Sequence, residues 1–452
     1  MHTHKLFGTD GIRGTPGEYP LTEEMLYKII IGITQFINRF SFTTRRRRVI
    51  IGRDTRLSGK HIEKHLANAL NSQGLDVLLA GTITTPGLSF LTKEFKADIG
   101  IMISASHNKP TDNGIKFFNS KGQKLSTQDE EAIENIISSL DIQKIPKAER
   151  KGKIRTLKSA QSKYTEFLLS TVKGLNLKGI RVALDCASGS ASLFTKEIFR
   201  RLNACIHSIH DIPKGERINI GGALQPAFIR ELVLKTKSDI GIALDGDGDR
   251  GILVDEKGKI LDGDYILAIM ADYLKNKKQL PKNTIVTTVM ANYGLINYLE
   301  RIGIKAISTQ VGDKYVLTEL LKNYLSLGGE QSGHIIFLDY LPTPDGLLTA
   351  LQVLKVMRDS KTKLSQLAKS LKKYPQVLVN VKVKEKIPFE QIPALEERLK
   401  QLNQQLQGKG RILLRYSGTE PLARVMVEGS DYRLIENIAN SLAKQIKKEI
   451  GE

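Results

Sequence analysis

The feature that most restricts the fold is a repeated alternation between short apolar segments and longer amphipathic ones. Short apolar segments occur at residues 49–51, 76–80, 97–103, 181–185, 239–244 and 284–289. Residues 61–72 are typical of the longer segments, because their apolar side chains recur at the spacing of a helix. Strands that alternate with helices in this way predict parallel sheets with helices on both faces.

Changes in composition mark the expected domain limits. A polar and basic stretch at residues 143–158 and a turn at residues 255–259 interrupt the alternation. Farther on, residues 377–384 alternate as a half-exposed antiparallel strand does, and residues 391–406 predict a long polar helix. We therefore predict three similar mixed α/β domains and a smaller C-terminal α+β domain, arranged around a central cleft. Their expected limits are residues 1–155, 156–256, 257–372 and 373–452.

Composition argues against two classes of protein. Cys186 and Cys205 are too few for a disulfide framework or a cysteine zinc site, so reduced thiols in a cytosol are expected. The first residues lack the apolar core of a signal peptide. The apolar run at residues 265–270 is far shorter than the ~20 residues that span a bilayer. We therefore expect a cytoplasmic protein that is neither secreted nor membrane-embedded.

The formal net charge of +20 points to an anionic partner. Nucleic acid, anionic lipid and small anionic substrates are the candidates. The densest basic run, residues 45–48, has no interleaved aromatic residues for base stacking, and the chain has no tryptophan. These features favour a small anion drawn into a cleft over nucleic acid.

The sequence DGDGDR at residues 245–250 is the most specific local signal. Asp245, Asp247 and Asp249 alternate with glycines, so an extended loop would carry the three carboxylates on one side. Such carboxylates repel one another unless a cation neutralises them, and their oxygens suit Mg²⁺ or Ca²⁺. An EF-hand is the competing interpretation, but Arg250 occupies the position where that loop needs glycine. We therefore predict a Mg²⁺ site completed by a phosphate oxygen.

A second motif, SASHN at residues 104–108, directly follows an apolar strand. Small residues at a strand end leave room for a ligand, and ligands favour the carboxyl ends of parallel strands. A serine hydroxyl there could act as a nucleophile or as a phosphoryl carrier. A turn whose serine and asparagine cap the next helix is the alternative that this segment alone leaves open.

A third motif, GGEQSGH at residues 328–334, brings three kinds of polar group together. Glu330, Ser332 and His334 supply a carboxylate, a hydroxyl and an imidazole before the next apolar strand. This combination suits the hydroxyl or amino groups of a sugar, with proton transfer. A hairpin turn with incidental polar residues is the alternative.

Two basic, glycine-containing segments are candidates for anion binding. Near the C-terminus, guanidinium groups, hydroxyls and the backbone N–H groups beside a glycine predict a phosphate pocket. A β-turn flanked by surface arginines is the alternative. The residues are Arg415, Ser417, Gly418, Thr419 and Arg424. Near the N-terminus, Arg13 lies in a loop where Gly8, Gly11 and Gly14 would permit close approach of an anionic ligand. A flexible arm is the alternative there.

Together, in this order and at these separations, the five segments resemble the α-D-phosphohexomutase superfamily. The runs SASHN, DGDGDR, GGEQSGH and SGTEP carry the resemblance jointly, and it extends from Lys5 to about Glu428. It implies a four-domain enzyme, an isomerase that transfers a phosphoryl group and needs phosphorylation of an active-site serine.

The resemblance also implies a role for each matching residue. Ser106 would carry the phosphoryl group and, as phosphoserine, would share the metal with Asp245, Asp247 and Asp249. The residues that would assist phosphoryl and proton transfer are Arg13, Lys116 and His334, supported by His107 and Arg250. The residues that would read and orient the sugar are Glu330, Ser332, Gly312 and Asp313. The residues that would hold the non-reacting phosphate are Arg415, Ser417, Gly418, Thr419 and Arg424.

Within the superfamily, the opening FGTDGIRG, Gln331 and VGDKYV at residues 311–316 are most similar to the amino-sugar branch. Phosphomannomutase/phosphoglucomutase members tend to have methionine at the position of Gln331. The implied reaction interconverts glucosamine 6-phosphate and glucosamine 1-phosphate through a bound 1,6-bisphosphate. The implied cofactors are one Mg²⁺ per subunit and glucosamine 1,6-bisphosphate or glucose 1,6-bisphosphate as activator. The product would supply UDP-N-acetylglucosamine and peptidoglycan synthesis.

The expected partner is therefore a small hexosamine phosphate, with neither nucleic acid nor membrane, and the resemblance allows a homodimer. One departure from the family pattern lies in the serine loop, where Lys109 precedes Pro110 in place of a proline directly after SHN. Three alternatives stay open. They are a glucose or mannose phosphomutase, a Ca²⁺-binding protein without turnover, and a basic nucleic-acid-associated protein whose binding depends steeply on salt.

Overall fold

The computed structural model describes residues 5–8, 10–39, 47–141, 148–406, 409–417 and 421–452. The chain forms two compact units. The first comprises Met1–Met290 and Ile304–Lys369, and the second comprises Ala291–Gly303 and Ser370–Glu452. Among the described helices, none combines the length and the apolar character needed to cross a membrane.

The helices carry amphipathic sequences whose apolar faces are buried. In α1, for example, Leu26, Ile29, Ile30, Ile33 and Ile37 recur at helical spacing and are all buried. The helices are α1 (Glu23–Arg39), α2 (Gly59–Ser72), α3 (Thr85–Glu94), α4 (Thr127–Ser138), α5 (Ala160–Thr171), α6 (Thr195–Arg201), α7 (Ala227–Thr236), α8 (Gly263–Asn276), α9 (Tyr293–Arg301), α10 (Asp313–Asn323), α11 (Gly346–Ser360), α12 (Leu364–Leu367), α13 (Pro393–Leu406) and α14 (Tyr432–Ile450).

The first sheet has six strands in the order β1-β5-β4-β2-β3-β6. They are β1 (Ile12–Gly14), β2 (Arg48–Arg53), β3 (Asp76–Thr82), β4 (Ile99–Ile103), β5 (Asn113–Asn119) and β6 (Ile154–Thr156). The strand β2 pairs in parallel with β3 and β4, whereas β5 is antiparallel to β1 and β4. Every residue of β4 is buried, as a central strand covered on both faces requires.

The strand β6 lies inside the stretch that the sequence predicts as a linker. It pairs in parallel with β3 and extends the first sheet. All three of its residues are exposed, so its sequence carries no apolar pattern that could have revealed it.

The second sheet has five strands in the order β11-β10-β9-β7-β8. They are β7 (Arg181–Asp185), β8 (Cys205–Ile209), β9 (Ile240–Leu244), β10 (Gly251–Asp255) and β11 (Ile260–Leu261). The strand β7 is parallel to β8 and β9, and β10 is antiparallel to β9 and β11. The turn predicted between two domains at residues 255–259 is therefore a hairpin turn within this sheet.

The third sheet has four strands in the order β13-β12-β14-β15. They are β12 (Thr284–Thr288), β13 (Lys305–Thr309), β14 (Leu327–Gly329) and β15 (Ile335–Phe337). The strand β12 is parallel to β13 and β14, and β14 forms an antiparallel hairpin with β15.

The second unit contains an antiparallel sheet in the order β16-β18-β17. Its strands are β16 (Gln376–Lys382), β17 (Gly410–Tyr416) and β18 (Leu422–Gly429). Residues of α14 such as Ile438 and Leu442 pack with Val425 and Val427 of β18 in its core. The predicted fold class, three mixed α/β domains and a C-terminal α+β domain, is confirmed; the central cleft stays a prediction.

A buried carboxyl joins two helices of the first unit. Asp345 caps α11 by accepting, at 3.0 Å each, the N–H groups of Leu347 and Leu348. The hydroxyl of Tyr164 in α5 donates to its other oxygen at 2.5 Å. Burial raises the pKa of Asp345 to about 6, although these hydrogen bonds oppose the shift. The folded protein therefore holds the proton of this carboxyl more tightly than the unfolded chain does.

We predict that Asp345→Asn stabilises the protein increasingly as the pH rises from 4 to 7. The pKa of Asp345 is higher in the folded protein than in the unfolded chain. The contribution of this carboxyl to the free energy of unfolding is therefore complete below its unfolded-state pKa and is lost as the pH rises through about 6. The stability lost in this way amounts to about 3 kcal/mol. Asparagine avoids the loss because its side chain does not ionise. Thermal midpoints of variant and wild type measured across this pH range test the prediction.

The matched control is Asp359→Asn, because Asp359 also accepts a hydrogen bond from a tyrosine, Tyr273, but in an exposed setting. The pKa of Asp359 is lowered by the hydrogen bond from Tyr273, so no gain with rising pH is expected there. A midpoint difference for Asp345→Asn that stays constant from pH 4 to 7 would contradict the assignment.

Candidate active site

The serine loop, residues 104–108, leaves the carboxyl end of β4. Ser106 is 1% exposed, and its φ of 49° lies in the left-handed region that serine rarely occupies. Its N–H donates to Ser104 Oγ at 2.9 Å. Its Oγ lies 3.3 Å from both His107 Nδ1 and Asp245 Oδ2. The hydroxyl is therefore directed at the carboxylate loop and does not cap a helix.

Arg56, which is 1% exposed, holds the serine loop in this shape. Its guanidinium donates to the backbone carbonyls of Ser106 at 2.8 Å and Asn108 at 3.0 Å. It also donates to the carbonyl of Lys109, and its Nε pairs with Asp54 Oδ2 at 3.0 Å. Since backbone carbonyls are the acceptors, lysine at position 109 can supply this contact as well as proline can.

Asn219 connects the serine loop to the carboxylate loop. Its Nδ2 donates to the carbonyls of Ser106 at 2.8 Å and Asn108 at 3.1 Å, while its Oδ1 accepts from the N–H of Gly246 at 2.8 Å. Neither Asn219 nor Arg56 was singled out from the sequence. Both act on backbone groups far away in the chain, so no local motif marks them.

The carboxylate loop, residues 245–250, connects the antiparallel strands β9 and β10. Strands on both sides exclude the helix–loop–helix arrangement of an EF-hand. Asp245, Asp247 and Asp249 are fully buried, and an oxygen from each lies within 4.8 Å of the others. Burial, Asp249 and Asp247 raise the pKa of Asp245 well above its ordinary value.

One carboxylate oxygen in this cluster lacks a partner. Within the described part of the chain, Asp247 Oδ1 is buried and accepts no hydrogen bond. An orphaned buried oxygen among three carboxylates is costly unless a cation binds there. The donor set, which is oxygen only, fits a hard divalent ion.

Lys116 of β5 inserts its ammonium group into the same cluster. Its Nζ lies 2.9 Å from Asp247, 3.3 Å from Asp249 and 2.9 Å from Asp10. Burial alone would lower the pKa of Lys116, but these three carboxylates raise it well above its ordinary value. Lys116 is therefore a fixed cation, and Asp10, which the sequence did not single out, belongs to its surroundings.

His107 and Arg250 lie next to Ser106. Arg250 Nη2 donates to His107 Nδ1 at 2.9 Å. Burial and the charge of Arg250 lower the pKa of His107 to about 4, so its ring is neutral at physiological pH.

His334 links the sugar motif to the carboxylates. The hairpin of β14 and β15 places its Nδ1 3.0 Å from Glu330 Oε2 and its Nε2 3.2 Å from Asp249 Oδ1. Burial would lower the pKa of His334, but Asp249 and Glu330 raise it to about 10. Arg250 Nε also lies 3.1 Å from His334 Nε2, so this nitrogen is held between a guanidinium and a carboxylate, while Nδ1 faces Glu330. Ser332 Oγ, in an exposed residue, lies 3.3 Å from its Nδ1.

The segment VGDKYV joins the same region. The N–H of Gly312 donates to Glu330 Oε1 at 3.0 Å. Asp313 pairs at 2.7 Å with Lys124, whose ammonium group also lies 2.6 Å from Asp10. The first unit thus brings together the predicted residues of four separate segments.

Arg13 lies on strand β1 and not in an open glycine loop. It donates to Asn108 Oδ1 at 2.9 Å and to Asp10 Oδ2 at 2.5 Å. Gly11 has a φ of 82°, and a Cβ there would lie 2.4 Å from the carbonyl oxygen of Ile115. Packing against β5 therefore requires glycine at position 11, and the close approach of a ligand there stays a prediction.

The second unit carries the predicted phosphate residues. Arg415 and Arg424 occupy paired positions on β17 and β18, and Arg424 Nη2 lies 3.5 Å from Ser417 Oγ. Burial and the adjacent charge of Arg424 lower the pKa of Arg415. Lys386, which was not predicted, donates to the Ser417 carbonyl at 2.6 Å. Two adjacent guanidinium groups suit an anion. Gly418 and Thr419 lie outside the described residues.

Comparison with known families covers almost the whole chain. The phosphoglucomutase/phosphomannomutase models for α/β/α domains I, II and III match residues 4–144, 162–258 and 262–374. The model for the C-terminal domain of the same family matches residues 378–445. These four matches define the class of protein as the phosphoglucomutase/phosphomannomutase family.

Curated relatives narrow the class. Phosphoglucosamine mutases from Chlamydia trachomatis and Chlamydia caviae are each 45% identical over 452 residues, covering 99% of this chain and 98% of the relative. The chain therefore belongs to the α-D-phosphohexomutase superfamily and, within it, to the phosphoglucosamine mutase family.

Solved structures share the fold. A phosphoglucomutase/phosphomannomutase family protein from Burkholderia thailandensis has a TM-score of 0.81 at 20% identity and covers all of both chains. A phosphomannomutase homologue from Thermus thermophilus has a TM-score of 0.78 at 23% identity, covering 98% of each chain. The N-acetylphosphoglucosamine mutase of Aspergillus fumigatus, solved with GlcNAc-6P and magnesium, has a TM-score of 0.66 at 16% identity, covering 98% of this chain and 95% of that one.

We predict that Asn219→Gly lowers kcat about 10- to 100-fold, because the serine and carboxylate loops lose their shared amide. KM for the sugar phosphate should change less than about threefold, because Asn219 holds loops and not the sugar. Glycine tolerates the φ of 69° at this position, so backbone strain is not introduced. Steady-state kinetics test the prediction.

The matched control is Asn276→Gly, which removes an exposed amide hydrogen bond to Asp272 at the end of α8. It should leave kcat unchanged. Wild-type kcat in Asn219→Gly would show that Asn219 does not position Ser106.

Proposed function

We propose that this chain interconverts glucosamine 6-phosphate and glucosamine 1-phosphate, with Ser106 as the phosphoryl carrier. The observation that carries the proposal is the buried Ser106 hydroxyl, 3.3 Å from Asp245 at the edge of three buried carboxylates. The 45% identity to curated phosphoglucosamine mutases supports an amino sugar as the substrate. The proposed domain limits are residues 1–155, 156–256, 257–372 and 373–452, with two adjustments from the strand pairing. The strand β6 continues the first sheet to residue 156, and the hairpin of β10 and β11 keeps residues 257–261 with the second sheet.

The proposed metal is Mg²⁺, bound by Asp245, Asp247, Asp249 and an oxygen of phosphorylated Ser106. Their oxygens are the ligands that this ion prefers. When bound, Mg²⁺ would neutralise negative charge on the transferring phosphoryl group. The related Aspergillus fumigatus enzyme, solved with magnesium, supports this choice.

The reaction would proceed in two mirrored transfers. In the first, the bond from phosphorus to Ser106 Oγ breaks while the free hydroxyl of the sugar phosphate bonds to phosphorus and loses its proton. A proton returns to Oγ, and glucosamine 1,6-bisphosphate results. After the intermediate reorients, Oγ attacks the other phosphate, loses its proton, and the sugar oxygen regains one. Atoms and protons therefore balance over the cycle.

Residues of the first unit would assist these transfers. Carboxylates hold Lys116 and His334 in their protonated forms, so each would enter the cycle as a cation and proton donor. Arg13 would stabilise the transferring charge, and His107 and Arg250 would keep Ser106 in place.

Residues of the loops at 311–316 and 328–334 would recognise the sugar. Glu330 is the proposed partner of the amino group. Burial would raise its pKa, but His334 and the N–H of Gly312 lower it, so that Glu330 is a carboxylate. Ser332 is exposed and would reach a sugar hydroxyl, while Asp313 would orient the loop. Arg415, Ser417, Gly418, Thr419 and Arg424 would hold the phosphate that is not reacting.

The proposed activator is glucosamine 1,6-bisphosphate or glucose 1,6-bisphosphate, because either can phosphorylate Ser106. A related Aspergillus fumigatus mutase was solved with glucose 1,6-bisphosphate. The proposed setting is cytoplasmic synthesis of UDP-N-acetylglucosamine for peptidoglycan. The two oligomeric states that we propose for the enzyme are a monomer and a homodimer.

We predict that glucosamine 6-phosphate is turned over with a kcat/KM about 10- to 100-fold higher than glucose 6-phosphate or mannose 6-phosphate. Ser106→Ala should abolish turnover of all three, because no phosphoryl carrier remains. The measurement is coupled turnover with Mg²⁺ and catalytic bisphosphate, with phosphorylation of Ser106 checked by mass spectrometry. A preference for glucose 6-phosphate or mannose 6-phosphate would show that the proposed substrate is wrong. Turnover by Ser106→Ala would show that Ser106 is not the phosphoryl carrier.

We predict that removing divalent cations with EDTA stops turnover of the phosphorylated enzyme and that Mg²⁺ restores it. Asp247→Asn should lower kcat at least about 100-fold, because it removes one of three clustered carboxylates. Asp272→Asn, a change at a half-buried carboxylate of α8 outside the carboxylate loop, is the control and should keep wild-type kcat. Tighter binding of Ca²⁺ than Mg²⁺ without turnover would instead favour the cation-binding alternative.

A further inference from the structure

A second group of metal-ligating side chains lies on α1 and α2, separate from the carboxylate loop. His61 and His65 are one turn apart on α2, and their ring centroids are 4.4 Å apart. Glu23 is the first residue of α1. Its Oε1 lies 3.2 Å from His61 Nε2 and 3.1 Å from His65 Nε2. Three ligand atoms from two helices therefore converge on one point.

The two distances from Glu23 to the imidazole nitrogens match those of a transition-metal site, and the two nitrogens lie within 4.8 Å of each other. Zinc binds imidazole nitrogen and carboxylate oxygen at ~2.0–2.1 Å in tetrahedral geometry, which separates neighbouring ligand atoms by about 3.3 Å. Histidines four residues apart on a helix present their rings on one face, as a shared metal requires. Two imidazoles and one carboxylate suit Zn²⁺, unlike the carboxylates at residues 245–249, which suit a hard cation.

The group is open to an ion from solution. The side chains of Glu23, His61 and His65 are 66%, 63% and 34% exposed. A cavity of about 270 Å³ adjoins Glu23 and His65 and is also lined by Tyr27 and Asn68. This space can accommodate a water molecule as the fourth ligand.

We propose that Glu23, His61 and His65 bind one Zn²⁺ ion, with water completing the tetrahedron. The ion fastens α1 to α2. Because α2 begins at Gly59, shortly after Arg56, the site stabilises the helix that follows the residue holding the serine loop. Its role is structural, and the proposal does not depend on the reaction assigned to Ser106.

The test uses untagged, full-length chain in a background that removes competing ligands. His2→Ala and His4→Ala eliminate two histidines near the terminal amine, and Cys205→Ser removes an exposed thiol. Excess Mg²⁺ occupies the carboxylate loop. Zinc chloride is then titrated by calorimetry, and the visible absorption of Co²⁺ reports the ligand geometry.

The expected result is one Zn²⁺ per chain. In His61→Gln/His65→Gln, affinity should fall at least about 100-fold, because two of three protein ligands are lost. Glu23→Gln should weaken binding about 10-fold. Zinc should raise the thermal midpoint of the background protein and leave that of the double variant unchanged. His207→Gln, a change at a histidine of β8, is the matched control and should bind zinc like the background.

Zinc affinity and stoichiometry that are the same in the double variant and the background would overturn the proposal, as would an absence of zinc binding by the background protein. All three positions are solvent-accessible, and glutamine preserves polarity and helix propensity, so the variants are expected to fold. Their thermal midpoints without zinc check this directly.

Discussion

The central physical constraint is the burial of mutually repelling carboxylates in one place. Asp245, Asp247 and Asp249 are held away from bulk water beside the half-buried Asp10, and such charges are tolerated only when cations neutralise them. Lys116 contacts three of them, and His334 contacts Asp249. Within the described part of the chain, Asp247 Oδ1 has no hydrogen-bond partner, and a cation held by the three carboxylates would supply one.

This constraint explains the protonation states across the site. Carboxylates raise the pKa of Lys116 and His334, whereas burial and neighbouring guanidinium charge lower the pKa of His107. Their neighbours therefore give the two imidazoles of this site opposite protonation states: that of His107 is neutral and that of His334 is protonated. Such an arrangement suits phosphoryl transfer, which needs fixed positive charge around the moving group and little covalent chemistry.

The second constraint is on the backbone. The left-handed conformation of Ser106 is costly and persists because Arg56 and Asn219 bond to the carbonyls around it. The same amide of Asn219 reaches the carboxylate loop through Gly246. The distance between the serine hydroxyl and Asp245 is therefore set by buried polar contacts that neither motif contains.

The sequence by itself determined the α/β alternation, the C-terminal antiparallel unit and the types of side chain that each motif carries. This was possible because periodicity and residue type are local properties. It revealed β2, β4 and β9 from their apolar runs but not β6, whose residues are exposed. It also singled out candidate residues: the three aspartates, because clustered carboxylates suit a cation, and Ser106, through the motif that resembles the superfamily.

Only the tertiary structure decided what surrounds those residues. Arg56, Asn219, Asp10 and Lys386 act through contacts between segments far apart in the chain, and such contacts leave no periodic or local signature. The packing requirement at Gly11 and the proximity of Glu23, His61 and His65 arise in the same way. Distance, burial and charge compensation are properties of the folded chain, and they determine the hydrogen-bond partners and the protonation state of each side chain.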